Sequence, residues 1–347
     1  MFNWLALSPD QRKTIITAIN ARSGFPEKAI EKDWWVTMVL RALFQTPYAN
    51  NLLFKGGTSL SKSWKLIERF SEDIDIAIDK ETVGYEGTPT TKSQIKRLKE
   101  KSSLFTKTIL KEALEKQLLE VGIPADACTV IAEETASSDT DPQKLIITYP
   151  PLFEPNPYLA DQVIVEVSAR SLKEPFTAVK IQSIIDDYAQ EQPYAYPAFA
   201  VPSVNPERTF LEKAFLLHEE FQKPAEKVKH ERKSRHFHDL HQIMDTPYGQ
   251  KALQDVELYQ TIITHREIYN NLPGIDYATH HPTSINFIPP EAIWKQWEVD
   301  YESMRQNMIL GDSPDYSQLM VRMNELLARF RQVTLAPKEG GTTKVVL

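Results

Sequence analysis

The stretch FKGGTSLSKSWKLIERFSEDIDIAID, from Phe54 to Asp79, constrains this chain more than any other. An apolar run ending at Phe54 reads as a strand, Gly56-Gly57 as a turn, Ser59 to Glu68 as a helix, and Asp73 to Ile78 as a second strand. Alternation along that strand places Asp73 and Asp75 on one face with Ala77, and Ile74, Ile76 and Ile78 on the other. Neighbouring carboxylates repel unless a cation sits between them, and hard divalent ions with oxygen ligands serve best. Gly56 and Gly57 let backbone N–H groups approach a polyphosphate, and Thr58 adds a hydroxyl at the mouth of a helix whose N-terminus favours anions. A lone Gly-Gly is usually a plain turn and a lone Asp-x-Asp a solvated strand edge. Joined in one strand, turn, helix and strand, they predict metal-dependent phosphoryl or nucleotidyl transfer from a nucleoside triphosphate.

The GGT turn followed by SEDID resembles the Gly-Ser and Asp-x-Asp signature of the polymerase-beta nucleotidyltransferase superfamily. More narrowly, FKGGTSLSKSW and RFSEDIDIAI, with the lead-in Glu31-Lys32-Asp33-Trp34-Trp35, are similar to the AbiEii/AbiGii family of nucleotidyltransferase toxins. Two departures are visible: Thr58 stands where Ser is common, and 14 residues separate it from Asp73, a longer interval than usual. The likeness continues in RTFLEKAFLLHE, which resembles the family's second motif, whose lysine, here Lys213, reaches the nucleotide phosphates. It ends in SRHFHDL, similar to an Arg-x-x-x-Asp-Leu motif, so Asp239 carries over as the last functional acid, either orienting Lys213 or stabilising its helix start. The resemblance spans about Gly24 to Met244. It implies the toxin of a two-gene toxin–antitoxin, abortive-infection pair in phage defence, with a cognate antitoxin partner and an RNA acceptor, the 3′ end of tRNA foremost.

The fold class expected is α+β: a nucleotidyltransferase domain with a small mixed sheet flanked by helices, then a mainly helical domain. At 347 residues and 41% hydrophobic, the chain has material for both cores. Residues 1–191 are assigned to the first domain, 192–335 to the second and 336–347 to a disordered tail, with the proline-rich span Gln192 to Pro206 as the passage between domains. A net charge of −7 argues against wholesale coating of nucleic acid. Local basic runs remain, at Lys92 to Lys101 and Lys223 to His241, each either a strip for an RNA backbone or a solvated face. Cys128 is the only cysteine, which excludes a disulfide framework and fits a reducing cytoplasm. No apolar run reaches the length of a membrane span, and the N-terminus lacks the features of a signal peptide.

Ser8-Pro9 opens a helix to about Arg22, and a second runs from Pro26 to about Phe44, where Trp34 and Trp35 read as core rather than a base-stacking platform. A long helix is expected from Lys92 to Val121, then strands at Cys128 to Ala132, Lys144 to Tyr149 and Asp161 to Ala169. The last carries Glu166 in an apolar strand, where an unpaired carboxylate is costly. Glu166 is either a third metal carboxylate or, on the blander reading, a partner for Arg170 or part of an exposed sheet face. After Asn205-Pro206 an amphipathic helix buries Phe210, Leu211, Ala214, Leu217 and Phe221, with Lys213 beside the stripe. His238 and His241 lack the further ligands that a zinc site requires.

On this reading Asp73, Asp75 and Glu166 hold two Mg²⁺ ions. Gly56, Gly57 and Thr58 cradle the β and γ phosphates, Lys213 neutralises them, and Lys55, Arg69 and Ser71 complete the nucleotide-binding set. Three rivals share part of the pattern: a metal-dependent glycosyltransferase, a nucleotidyltransferase acting on a protein or small molecule, and a non-catalytic nucleotide- or RNA-binding module. The donor consumed and the acceptor labelled separate them.

Overall fold

The structure is a computed structural model and describes residues 4–71, 73–154 and 160–335. The expected disordered tail lies outside the described residues. The chain divides into two units, one of residues 1–209 with 305–313 and the other of 210–304 with 314–347.

The first unit is mixed α/β. It opens with α1 (Pro9–Ser23) and α2 (Glu27–Leu43), followed by β1 (Leu52–Lys55), α3 (Gly56–Lys62) and β2 (Asp73–Ile78). Next come α4 (Lys92–Phe105) and α5 (Lys111–Glu120), joined by a π turn at Thr106–Leu110, so the long helix expected from Lys92 to Val121 is present with one widened turn. Strands β3 (Thr129–Ala132), β4 (Gln143–Thr148), β5 (Gln162–Ser168) and β6 (Phe176–Ile181), a short α6 (Ile184–Tyr188) and β7 (Phe199–Val204) follow. Among the described residues seven strands form one sheet in the order β3-β4-β5-β2-β1-β7-β6. The β2–β5 and β1–β7 pairs are parallel and the others antiparallel. Val163, Val165 and Val167 face the core from β5, as their alternation demands.

Local signals set the first helix. Ser8 accepts from the Gln11 N–H while the Gln11 side chain returns to the Ser8 N–H, with Pro9 at the first helical position and left-handed Gly24 closing the far end. Helix α2 is buried along nearly its whole length. Trp35 stacks on Tyr149 with ring centroids 4.7 Å apart, and Trp34 meets Trp4 at 6.2 Å, so both indoles are core.

The polar residues of α2 hold the loop before β5. Lys28 pairs with Asp161 at 2.7 Å, Lys32 donates to the Ala160 carbonyl, and Glu31 accepts from the Leu152 N–H. Burial pushes the Glu31 carboxyl up to about 7; Asp161 adds to the rise, while the Leu152 N–H, Lys28 and Arg12 oppose it. With a raised folded value, the stability this group contributes is complete below pH 4.5 and is lost as pH rises through about 7. Glu31→Gln is therefore expected to remove a decline on the order of 2–3 kcal/mol across that window. Urea unfolding of both proteins at pH 5 and pH 8 checks this, and equal pH slopes would exclude it.

Two sequence expectations give way to longer-range contacts. The helix expected over Ser59 to Glu68 stops at Lys62, because Trp64 Nε1–H is drawn to the Val204 carbonyl at 3.0 Å, Ser63 meets the Ser203 hydroxyl, and Lys65 turns left-handed at φ 54°. The chain that follows is fixed by residues far along the sequence. Phe70 N–H donates to the Met308 carbonyl and Leu310 N–H to that of Glu68, with Arg69 and Ile309 forming a β-bridge. The proline-rich span Gln192 to Pro206 likewise contains β7, an interior strand of the sheet beside β1 and β6. The sheet is thus larger than the small one expected, and the division between units falls within α7 (Pro206–Phe221), between residues 209 and 210.

The second unit is helical, with the rest of α7, then α8 (Arg235–Ile243), α9 (Pro247–Gln254), α10 (Val256–Tyr269), most of α11 (Trp294–Asn307) and α12 (Tyr316–Phe330). Phe210, Leu211, Ala214 and Leu217 form the buried stripe of α7; Phe210 stacks on Phe330, and Phe221 meets Phe237 and Trp297. Arg266 clasps Glu219 with two hydrogen bonds, and His280 reaches the same carboxylate at 3.1 Å, so the buried acid is satisfied. Among the described residues no helix is long and apolar enough to cross a membrane.

Candidate active site

Strand β1 delivers the chain to Gly56, whose φ of 78° lies in the left-handed region that favours glycine. A Cβ there would lie 1.9 Å from Asp75 Oδ2, so the backbone at Gly56 rests directly against the Asp75 carboxylate. A Cβ on Gly57 would lie 2.7 Å from an Arg69 guanidinium nitrogen and 2.9 Å from Ser71 Oγ. Thr58 donates to Ser71 Oγ or to the Asp73 carbonyl. The structure therefore gathers Gly56, Gly57, Thr58, Arg69, Ser71, Asp73 and Asp75 in one place; Gly56 is required by its left-handed backbone and by Asp75, whereas Gly57 faces only the ends of the Arg69 and Ser71 side chains.

Gly56→Ala tests that approach. It strains the backbone and forces the Asp75 carboxylate off its position, and a shift of about 1 Å at a reacting centre can cost on the order of 10²-fold in rate. The variant is expected to lose about that much transfer activity while remaining folded, measured as kcat/KM beside circular dichroism. Activity at the parent level would show that the close approach serves no catalytic purpose.

Register completes the acidic group. Lys55 is the Cα partner of Asp75 across β1 and β2, Asp75 of Glu166 across β2 and β5, and Glu166 of Lys144 across β5 and β4. Partners across strands share a face. Glu166 Oε1 lies 3.4 Å from Lys144 Nζ. Burial raises the Glu166 carboxyl above its usual range, with Asp75 and then Asp73 adding to the rise and Lys144 opposing it. Arg170 is not its partner, since that guanidinium is taken by Asp141 at 2.6 Å. The alternative that Glu166 pairs with Arg170 is thereby corrected.

Among the described residues no three His, Cys, Asp or Glu side chains stand as a preformed metal cage. Mg²⁺ rarely needs one, because it keeps several waters and takes one or two carboxylates together with substrate phosphates. Adjacent acids on a rigid sheet, with glycine backbone against one of them, fit such an ion.

A cavity of about 540 Å³ adjoins Arg69 and Ser71, with Phe25, Ile67 and Leu310 in its walls and Asp33 paired to Lys62 at 2.5 Å. Its size is that of a small-molecule site. Asp33 also accepts from the Ile184 N–H, so this residue of the Glu31-to-Trp35 lead-in ties α2 to α3 and α6. Sequence reasoning passed over Asp33, Lys62 and Lys144. The first two stand inside the quoted motifs, but Lys144 is visible only through strand register.

In the second unit Lys213 Nζ lies 2.8 Å from Asp239 Oδ2 and 3.4 Å from His236 Nδ1, with Lys213 at 7% and Asp239 at 0% exposure. Helices α7 and α8 thus bring the two motif residues together, and the arrangement favours Asp239 as the group that orients Lys213. Of the basic run, Lys223 and Lys233 both turn to Glu220, at 2.8 and 2.5 Å, whereas Lys227, Lys229 and Arg232 face solvent.

The family described as "Nucleotidyl transferase AbiEii toxin, Type IV TA system" matches residues 39–332. Comparison with curated proteins gives no match. Among solved structures, the chain is similar to MenT4, a nucleotidyltransferase toxin from Mycobacterium tuberculosis H37Rv, with a TM-score of 0.49 and 17% identity over 94% of this chain and 91% of that one. It is also similar to JHP933 from Helicobacter pylori, with a TM-score of 0.42 and 13% identity over 88% of this chain and 93% of the other.

Proposed function

Because the chain belongs to the AbiEii family of nucleotidyltransferase toxins of type IV toxin–antitoxin systems, we propose that it transfers a nucleoside monophosphate from a nucleoside triphosphate to an RNA 3′ hydroxyl, that of tRNA foremost, with Mg²⁺ bound at the acidic row. Its biological setting on this reading is phage defence, and the family implies a cognate antitoxin.

The observation that carries the reading is the contact of Gly56 backbone with Asp75 beside Glu166. That contact supports a reading in which phosphate oxygens and a divalent cation bind side by side, as phosphoryl chemistry requires. Asp73, Asp75 and Glu166 would hold Mg²⁺. When bound, the ion supplies Lewis-acid polarisation of phosphoryl oxygens and neutralises developing charge.

The chain's own groups do the rest. First-turn N–H groups at Gly56 to Thr58 have no acceptor within their helix and can point at the β and γ phosphates. Arg69 and Ser71, packed over Gly57, hold those phosphates from the side, and Lys55 borders the same row. The acceptor hydroxyl gives up its proton to solvent as its oxygen attacks the α-phosphorus, the bond to the bridging oxygen breaks, and pyrophosphate departs with that electron pair. In the second unit, Asp239 fixes Lys213 as a charged, oriented ammonium, the form suited to an anion. Lys227, Lys229 and Arg232 offer positive charge to an RNA backbone.

Incubating the purified chain with total RNA and each α-labelled triphosphate in turn, with and without EDTA, tests this. Label is expected in RNA, selectively from one or few triphosphates, and lost on chelation. Label in protein, or none in RNA with any triphosphate, would overturn it.

A further inference from the structure

The acidic row carries its own cation. Across four strands the register line reads Lys55, Asp75, Glu166, Lys144, with Asp73 on the same face two residues before Asp75. Gly56 rests on Asp75, which puts the phosphate cradle at one end of the line and Lys144 at the other. Lys144 Nζ sits 3.4 Å from Glu166 Oε1, and its strand is fixed on both sides by β3 and β5. The pair is only partly exposed, at 32% and 24% for the side chains, so water does not simply separate it.

A two-metal site needs a second divalent ion about 3.5–4 Å from the first, held by the acids that remain. Here the acid farthest from the cradle already faces an ammonium, and a divalent ion at that end would be repelled by it. Lys55 and Lys144 stand at the two ends of the row, so its three carboxylates are already largely neutralised and one divalent ion more than balances what remains.

We propose that Lys144 Nζ stands where a second metal ion would bind, so that the row takes one divalent cation, at the Asp73 and Asp75 end, and Lys144 supplies the positive charge beside Glu166. It rests on the nucleotidyltransferase reading of this site. Lys144 is then a positioning residue: it holds the Glu166 carboxylate on the flank away from the cradle. An ordinary cross-strand ion pair contributes only about 0.2–1 kcal/mol of stability and leaves metal count untouched. Metal count therefore separates the two roles.

The test is Mn²⁺ titration of the full chain, followed by electron paramagnetic resonance and calorimetry, in the parent and in Lys144→Met, Lys144→Arg and Asp75→Asn. The parent is expected to bind one Mn²⁺. Lys144→Met, which keeps the stem without the charge, should bind two, with the broadened spectrum of a coupled pair, and its first ion about tenfold more tightly. Lys144→Arg should behave as the parent. Two ions on the parent, or a Lys144→Met chain that still binds one with parent affinity, would overturn the role of Lys144. If the parent binds one and Asp75→Asn abolishes it, the metal reading survives that outcome. If the parent binds none, the metal reading itself falls.

Discussion

Asp75→Asn is expected to abolish transfer, by about 10³-fold or more, while the melting temperature stays level or rises. The amide keeps the shape of the carboxylate and removes its charge. Loss of a metal ligand forfeits several kcal/mol of transition-state stabilisation, and about 1.4 kcal/mol corresponds to each tenfold in rate. The effect on stability has the opposite sign because Asp75 stands beside Glu166 in register and its charge raises the cost of ionising that neighbour. Like charges held side by side on a sheet are destabilising, so removing one relieves the fold. A catalytic acid maintained against this repulsion shows itself as a gain in Tm paired with a loss of turnover. A purified Asp75→Asn chain that labels RNA at the parent rate would end the assignment of this carboxylate to catalysis.

Asp239→Ala is expected to cost about 3–5 kcal/mol, the typical penalty for removing one partner of a buried ion pair. Asp239 has no exposure and Lys213 little, with 2.8 Å between them, so the ammonium loses its carboxylate in a place that water reaches poorly. Much of the penalty is the cost of leaving a buried ammonium without its carboxylate rather than the pair's own attraction. Adding Lys213→Met should therefore restore most of the loss, since replacing both partners with apolar groups is often near neutral. A double-mutant cycle in urea isolates the coupling. An Asp239→Ala chain as stable as the parent would show that Lys213 is held elsewhere.

What the residues announced in advance was local. Ser8 and Pro9 state a helix start in two adjacent positions, and the structure has that helix, with Gln11 completing a capping box. The alternation of Asp73 to Ile78 sets its two faces, and the burial pattern follows it. The glycine pair sits at the strand-to-helix junction as read, but Gly56 and Gly57 are the first two residues of α3 rather than a turn ahead of a helix from Ser59. What failed needed partners remote in sequence. Helix periodicity through Ser59 to Glu68 is overruled by Trp64 and Ser63 reaching β7, a contact over 140 positions. Strand β6 shows little burial and no clean alternation, so nothing in FTAVKI distinguishes an edge strand from a loop. Strand β7 hides in a proline-rich span because Pro202 and its neighbours carry the composition of a linker. The candidate site divides in the same way. Its glycines and paired aspartates are contiguous, whereas the neighbours of Glu166, above all Lys144, exist only through register.

The segment that carries Arg69 and Ser71 is held by backbone bonds to Met308 and Leu310, residues far along the sequence. A growing polypeptide that has not yet reached residue 310 therefore lacks the clamp on its own candidate phosphate-binding loop, even when every acidic and glycine position has been made.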